Sequence, residues 1–166
     1  DFSMNHRIGE VLPFDGVYAD RIPAQLVSNT SGIPGLRQLA LYGPHLCQFS
    51  FAESIEFEAC AQILLSVTLP DSHDAGSIFD YGGSQWQLAG VTAAVSANAT
   101  WGQLVDHYLT TPCELEVFTF GNMWEDLSLW DGTPSSLLGQ SNPNIEGGAI
   151  TNLADYAKLL QVHLNG

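Results

Sequence analysis

The sequence predicts a mostly helical α+β fold with little sheet. The chain has 166 residues, of which 45% are apolar, and this is enough to build the core of one domain. Helix-start signals recur along the chain, and apolar residues at helical spacing follow them. Only residues 115–120 read as a strand, within a longer stretch rich in turn-forming residues. We therefore expect about 40% helix.

The charge balance excludes two classes of partner. Acidic residues number 18 and basic residues 4, which gives a formal net charge of −14. Such a chain is poorly suited to replace the counterions of nucleic acid or to bind an anionic membrane surface. Because the sequence has no run of about 18 apolar residues, we also predict no membrane insertion.

Both ends of the sequence indicate a segment of a longer protein. The chain does not begin with Met, and its first residues lack the apolar core of a signal peptide. The last residues stop directly after a helical pattern. We therefore expect residues 1–166 to form a partial domain.

The first part of the chain predicts short helices separated by turns. Residues 1–9 read as the remnant of a helix that ends near Gly9. A second short helix is predicted at residues 22–27, since Pro23 is tolerated in a first helical turn. Gly32 is expected to supply the C-terminal stop of this helix.

A capping box predicts the next helix, which runs from Ser50 to about Ser66, with Glu53 as the second member of the box. Its apolar stripe consists of Ile55, Ala59, Ile63 and Val67, with Cys60 and Leu64 beside it. Residues 84–97 form a further helix, whose alanines and glycine indicate close burial.

The second half of the chain predicts two more helices around a long loop region. Thr100 and Gln103 form another capping box, and the helix that they open ends before Pro112. Residues 114–147 read mainly as long loops, and a long structured loop is often functional. Thr151 is predicted as the N-cap of the last helix. The apolar stripe of that helix consists of Leu153, Tyr156, Ala157, Leu160 and Leu164.

One tyrosine lies beside a glycine hinge that opens a helix. Tyr81 directly precedes Gly82 and Gly83. At a helix N-terminus, unpaired N–H groups and the helix dipole favour negative charge. A phenol placed there can be pushed toward phenolate, which is a usable base. The residues alone favour the alternative, a tyrosine at the edge of the core with a hydrogen-bonded hydroxyl.

Several common catalytic motifs are absent from the sequence. The only lysine is Lys158, and the residue three positions before it is Asp155, so no S-x-x-K pair exists. Residues 82–86 fail the G-x-S-x-G pattern at its last position. There is also no H-E-x-x-H, P-loop or G-x-G-x-x-G motif.

Other chemistry-bearing residues give weaker signals. Asp71, His73 and Asp74 carry side chains of metal-ligand type, but a solvated loop has the same composition, so we predict no metal and no cofactor. The four tryptophans could line an apolar cleft. For Trp86 and Trp101 we instead predict that they anchor the core.

Four blocks of sequence, in order and spanning nearly the whole chain, carry a family resemblance. They are residues 11–13 with 26–34 (L-V-S-N-T-S-G-I-P), residues 79–83 (F-D-Y-G-G) with 88–90, residues 101–104 with 112–115, and residues 142–151 (N-P-N-I-E-G-G-A-I-T) with 155–160. Together they resemble the serine β-lactamase-related hydrolases, which include class C β-lactamases, related esterases and D,D-peptidases of the penicillin-binding type.

The resemblance implies a fold and a chemistry. The chain would be the helical region of an α/β sandwich of β-lactamase or transpeptidase type, with most of the sheet missing. The family forms an acyl-enzyme on the serine of an S-x-x-K motif, and a K-T-G or H-x-G strand follows later. Both motifs would fall outside residues 1–166.

The resemblance also assigns site residues. Tyr81 matches the tyrosine of the family's Y-x-N motif, which serves as a general base with the S-x-x-K lysine. Glu146, Gly147 and Gly148 match a loop that borders the family's pocket. Gly83 stands where the family often has Asn, and this departure makes β-lactam turnover less expected than ester hydrolysis.

Further departures concern the loops and cysteines. Asn29 replaces a usual histidine of the first block, and Glu114 replaces a glycine of the third. In family members with similar sequence, cysteines near positions 47 and 60 suggest a disulfide. The resemblance therefore implies a Cys47–Cys60 bridge, and Cys113 would remain unpaired.

Two functions follow as hypotheses. In the first, the chain is a segment of a secreted or periplasmic serine hydrolase that acts on a small ester or β-lactam-like amide. The segment alone would be inactive, because a base without a nucleophile cannot form the covalent intermediate. In the second, the chain is complete and is a non-catalytic, β-lactamase-like binding module. The oligomeric state stays open.

Overall fold

The computed structural model describes residues 3–35, 47, 56–66, 72–121 and 142–165. Its elements, in chain order, are a 3₁₀ helix Ile8–Glu10, helix α1 Pro23–Val27, helix α2 Phe57–Ser66, helix α3 Gly83–Ala97, helix α4 Trp101–Val105, a π-helix Asp106–Thr110, strand β1 Phe118–Phe120, strand β2 Ala149–Thr151 and helix α5 Leu153–Asn165. Within these ranges the fold is mostly helical with little sheet, as predicted, but the sheet has two strands where the sequence indicated one.

Helix α3 is the centre of this arrangement. It packs against α1, α2 and α4. Its small residues allow close approach: a Cβ on Gly90 would lie 2.8 Å from Cγ1 of Ile145 and 3.1 Å from Cζ of Phe57. The helix ends at Asn98, whose left-handed backbone, with φ of 49°, provides the C-terminal stop. The buried apolar core around it consists of Ile8, Leu12, Tyr18, Leu26, Ile33, Cys47, Cys60, Ala61, Leu64, Leu65, Leu88 and Val91.

Helix α2 turns a different face to the core from the one predicted. Its buried residues are Cys60, Ala61, Leu64 and Leu65, whereas Ala59 is exposed. A disulfide joins Cys60 to Cys47, with their Cα atoms 5.5 Å apart, and holds this side of the helix inward. Ile55, Val67 and the capping box at Ser50 lie outside the described residues. Cys113 is a free, partly buried thiol.

The N-terminal predictions need two corrections. The predicted helix over residues 1–9 does not form in its described part: residues 3–7 make a turn, and the short 3₁₀ helix follows. Ile8 anchors this helix by donating its N–H to the carbonyl of Arg21 at 2.8 Å. Helix α1 forms as predicted, but Gly32 does not stop it. The left-handed residue that follows the helix is Asn29, with φ of 56°.

The two strands form a short antiparallel ribbon. Thr119 lies opposite Ile150 in the ladder. Thr151 belongs to β2 and donates its hydroxyl to the carbonyl of Val117 at 2.7 Å. The predicted N-cap at Thr151 is therefore wrong, because this hydroxyl is already used. Asn152 caps α5 instead, since its Oδ1 accepts the N–H of Asp155 at 2.8 Å.

The capping box at Thr100 forms as predicted. Thr100 Oγ1 accepts the N–H of Gln103 at 3.2 Å, and Gln103 Oε1 accepts the N–H of Thr100 at 2.8 Å. The α-helical part is short and continues as the π-helix.

In the ranges given above, no helix is long and apolar enough to cross a membrane.

Candidate active site

Tyr81 stands directly before the N-cap of the central helix. Gly82 is the N-cap of α3, with an extended backbone, and the helix begins at Gly83. The side chain of Tyr81 is 49% exposed. Its hydroxyl is therefore not enclosed in the core, and a ligand can reach the ring from solvent.

Asn29 holds the loop that carries Tyr81. Its carbonyl accepts the N–H of Asp80 at 2.9 Å, and its side-chain Oδ1 accepts the N–H of Gly82 at 3.3 Å. Asn tolerates the left-handed backbone better than most residues, and its amide oxygen supplies a partner for the N-cap. These two roles give a physical account of Asn at a position where the family usually has histidine.

A buried serine and a buried glutamine fix the other side of the same loop. Gln85 is 1% exposed, and its Oε1 accepts the hydroxyl of Ser31 at 2.5 Å and the backbone N–H of Ser31 at 3.3 Å. Its Nε2 donates to the carbonyl of Asp80 at 2.7 Å. Because both ends of this buried amide are bonded, the loop before Tyr81 is tied firmly to α3.

The carboxylate of Asp80 has a structural task. Its Oδ2 accepts the N–H of Gly35 at 2.8 Å. A Cβ added at Gly35 would overlap both this carboxylate and the carbonyl of Tyr81, so the chain needs glycine there. The carboxylate of Asp80 therefore accepts a backbone hydrogen bond next to Tyr81 and has a structural role there.

A second buried glutamine brings the loop of residues 142–148 against α3. Gln87 donates its Nε2 to Oδ1 of Asn142 at 2.9 Å and to the carbonyl of Pro143 at 2.8 Å. Its Oε1 accepts the N–H of Ile145 at 3.1 Å. Gln87 lies one helical turn after the start of α3, and this attachment brings Glu146 near Tyr81.

The structure brings together two of the site residues predicted from the sequence. A side-chain hydrogen bond with Glu146 raises the pKa of Tyr81, and partial burial and the negative charge of Glu146 add to this rise. Glu146 therefore opposes the shift toward phenolate that a helix N-terminus is expected to favour.

The predicted glycines shape the backbone of the site. Gly83 is buried in the first turn of α3. Gly147 is exposed, and its N–H donates to Oδ1 of Asn144 at 3.0 Å. Gly148 is buried, and a Cβ there would overlap the carbonyl of Gly121, so no side chain fits.

Sequence reasoning missed the residues that brace the site. Asn29, Ser31, Gln85 and Gln87 are all buried and all hydrogen-bonded. The usable signal was the pair Gln85 and Gln87, two amides in a helix that otherwise consists mostly of small and apolar residues. A buried amide needs partners, and such residues therefore mark contacts with neighbouring loops.

The structure describes two of the three ligand-type side chains at positions 71–74. His73 and Asp74 are exposed, and Asp71 lies outside the described residues. In the part of the chain that the structure covers, no group of three His, Cys, Asp or Glu side chains could hold a metal ion.

Two tryptophans line an apolar cavity and are not fully buried core anchors. The cavity has a volume of about 870 Å³ and lies along the side of α3, where Trp86 and Trp101 contribute to its wall. Trp101 packs edge-on against Phe120, with ring centroids 5.4 Å apart. The prediction for these two residues is corrected, because both are only partly buried. The other two tryptophans fall outside the described ranges.

Solved structures share this architecture. A β-lactamase-like protein from Bacteroides dorei DSM 17855 superposes with a TM-score of 0.66 at 24% identity, over 98% of this chain and 42% of that one. EstCE1, a hydrolase with promiscuous acyltransferase activity, gives a TM-score of 0.69 at 18% identity, over 96% and 51%. The D-amino acid amidase from Ochrobactrum anthropi SV3 gives 0.67 at 15% identity, over 99% and 49%.

These similarities lie in the fold. No protein-family profile matches the chain, and no curated protein matches it in sequence. The chain spans about half the length of the solved proteins, from 42% to 51% in these three. The fold predicted from the four sequence blocks is confirmed: this chain has the fold of the helical part of β-lactamase-related hydrolases.

Proposed function

We propose that this chain is a segment of a serine hydrolase that forms an acyl-enzyme on an ester or β-lactam-like amide, with Tyr81 as general base. The main support for this proposal is the position of Tyr81. Its side chain is half-exposed at the start of α3, on a loop that Asn29 and Gln85 hold by hydrogen bonds. A catalytic base must be fixed and yet accessible, and this tyrosine is both. The amidase and the promiscuous hydrolase with the same fold support a hydrolytic reaction.

The nucleophile in this proposal lies outside residues 1–166. The family resemblance places it in an upstream S-x-x-K motif and places a K-T-G or H-x-G strand downstream. The 166-residue chain alone is then inactive, because no acyl group can be transferred without the nucleophile. The Cys47–Cys60 disulfide supports a secreted or periplasmic location, since disulfides persist in oxidising compartments.

The raised pKa of Tyr81 defines what the rest of the site must supply. Tyr81 can accept a proton only as phenolate, so its own proton must first pass to solvent, and a positive charge is needed to offset the carboxylate of Glu146 that opposes this loss. The lysine of an S-x-x-K motif would provide this charge. Tyr81 could then take the proton of the serine hydroxyl and later return a proton to the leaving group.

The second candidate is a non-catalytic binding module of the same fold. It is favoured by the half-exposed ring of Tyr81, which lies beside the carboxylate of Glu146. In that case the exposed ring and Glu146 would bind a small ligand by contact and hydrogen bonding, and no covalent adduct would form.

Acylation of the full-length protein separates the two. We expect p-nitrophenyl acetate to leave an acetyl group on a serine outside residues 1–166, detectable by peptide mass spectrometry. Tyr81→Phe should slow this acylation by about 10²- to 10⁴-fold, the usual contribution of general base catalysis. Tyr108→Phe is the matched control, because Tyr108 is 72% exposed on the π-helix. Acylation at an unchanged rate in Tyr81→Phe would count against the proposal.

A further inference from the structure

Asn142 begins the loop of residues 142–148 and is held from two sides. Its side chain is 5% exposed, and its Oδ1 accepts the Nε2 donor of Gln87 on helix α3 at 2.9 Å. Its Nδ2 donates to the backbone carbonyl of Cys47 at 2.8 Å. Because both ends of this buried amide are bonded, Asn142 links the loop to α3 on one side and to Cys47 on the other.

Cys47 is itself attached to a helix by a covalent bond. Its disulfide partner, Cys60, lies in helix α2, 13 positions further along the chain. Both cysteines belong to the buried core, and the hydrogen bond from Asn142 to the Cys47 carbonyl is buried as well. The disulfide thus fixes a hydrogen-bond acceptor against α2, and Asn142 uses that acceptor to hold the loop.

The same loop carries the predicted pocket residues. Ile145 donates its N–H to Oε1 of Gln87 at 3.1 Å, and Glu146 and the two glycines that follow it are the next residues of the loop. Direct contacts therefore connect the disulfide, through Asn142 and Gln87, with the residues that border the proposed site. Contiguous contacts of this kind can carry coupling between distant positions.

We propose that the Cys47–Cys60 disulfide is a redox-sensitive tether for the loop of residues 142–148. A small dithiol reduces it by supplying two electrons and two protons: the S–S bond breaks, two cysteine thiols form, and the two sulfurs of the reductant close into its own disulfide. Cys47 is then no longer bonded to α2, the acceptor of Asn142 loses its fixed position, and the loop opens more often. The effect on activity rests on the proposed function, whereas the tether does not.

Amide hydrogen exchange tests the tether without any substrate. The protein is the full-length chain with Cys113→Ser, which removes the free thiol and prevents its exchange with the disulfide. After reduction by dithiothreitol, we expect the N–H of Ile145 to exchange about 5- to 10-fold faster, the effect of losing one hydrogen bond of the connection. The Cys47→Ser, Cys60→Ser double variant should give the same rate without a reductant.

The control is the N–H of Ile8, which donates to the carbonyl of Arg21 at 2.8 Å in the 3₁₀ helix. Its exchange rate should not change on reduction. An unchanged rate at Ile145 would contradict the inference. An equal rise at Ile8 would also contradict it, because the disulfide would then stabilise the whole fold and not the loop in particular.

A double-mutant cycle tests whether the connection runs through Asn142. Asn142→Ala should speed exchange at Ile145, because it removes the bonds to Gln87 and to Cys47. Reduction of this variant should then add less than about 2-fold, since the connection is already broken. Asn5→Ala, at an exposed position of the N-terminal turn, should keep the full response to reduction. A full response in Asn142→Ala would show that the disulfide acts by another route.

Acylation by p-nitrophenyl acetate measures the consequence for the proposed site. In the full-length Cys113→Ser protein we expect reduction to raise KM by about 3-fold or more, because a smaller fraction of molecules has the loop in place. Reoxidation should restore the original value. Acylation that does not respond to reduction would overturn the regulation of the site. If neither form is acylated, the proposed function is wrong, and the exchange rates alone decide the inference.

Discussion

Helices α3 and α5 are similar in length, at 15 and 13 residues, but they differ in the kind of residue that they bury. Helix α3 buries residues around most of its surface, including the amides of Gln85 and Gln87. Helix α5 buries the carboxylate of Asp155 and exposes its apolar stripe, with Leu153 and Leu164 each 84% exposed. The two helices are therefore held in place by different forces.

The attachment of α5 is polar. The carboxylate of Asp155 accepts the N–H groups of Glu116 and Val117 at 2.9 and 2.6 Å. Lys158 pairs with the same carboxylate and donates to the carbonyl of Glu114. The hydrogen bond with Lys158, followed by the bond from Val117, lowers the pKa of Asp155.

This comparison shows that apolar composition does not by itself identify the helix that supports a site. The apolar residues of α5 lie on one face of the helix, as predicted from their spacing. The described residues do not bury that face. Helix α3 supports the site because its packing is complete and because two of its amides bind the neighbouring loops. Stability measurements can sharpen or break this distinction.

The largest difference is expected for one substitution made in both helices. Leu88 in α3 is 0% exposed, and Leu88→Ala should cost about 2–5 kcal/mol of unfolding free energy, through lost burial and the resulting cavity. Leu164→Ala in α5 should cost less than about 0.5 kcal/mol, because its side chain is already in solvent. Urea unfolding measures both. Equal losses would show that α5 is packed as tightly as α3.

A smaller contrast is expected for glutamine. Gln87→Ala should cost about 2–3 kcal/mol, since Asn142, Pro143 and Ile145 lose a buried hydrogen-bonding partner. It should also move Glu146 away from Tyr81. Gln161→Ala, at an exposed position of α5, is the control and should be close to neutral. Thermal unfolding gives the stabilities; a stable Gln87→Ala variant would show that the loop is held by other contacts.

The polar attachment of α5 should depend on pH. Because the folded state lowers the pKa of Asp155, its stabilising contribution is fully present above the ordinary value of 3.8 and is lost as the pH falls through the lowered value. Asp155→Asn should therefore be less stable than the wild type at neutral pH, and the gap should close below about pH 4. Asp15→Asn, at an exposed position, should show no such trend. A gap independent of pH would rule out the charge of Asp155 as the cause.

Local signals in the sequence predicted much of the fold. Pro23, the capping box at Thr100 and the small residues of 84–97 each lie at or within the helices that they indicate. These features act within one or two turns, so they can be read without knowledge of the tertiary structure. The family resemblance also assigned Tyr81 and Glu146 to the same site.

The errors have a common cause in contacts between distant residues. Strand β2 has only three residues, which is too short for a recognisable strand pattern, so its pairing with β1 could not be predicted from the sequence. Because Thr151 belongs to this strand, it does not cap helix α5. The pKa of Tyr81 depends on Glu146, which is far along the chain. Glu114 has a left-handed backbone with φ of 52°, which explains the glycine that the family pattern has at that position.

The account depends most on Tyr81 and Glu146 forming one site. A pH titration of Tyr81, labelled with ¹³C at Cζ, measures this directly in the wild-type protein and in Glu146→Gln. We predict a midpoint above the ordinary tyrosine value of 10.0 in the wild type and a lower midpoint in the variant, because the variant lacks the charge that opposes phenolate. A wild-type midpoint at or below the ordinary value, unchanged in Glu146→Gln, would contradict the account.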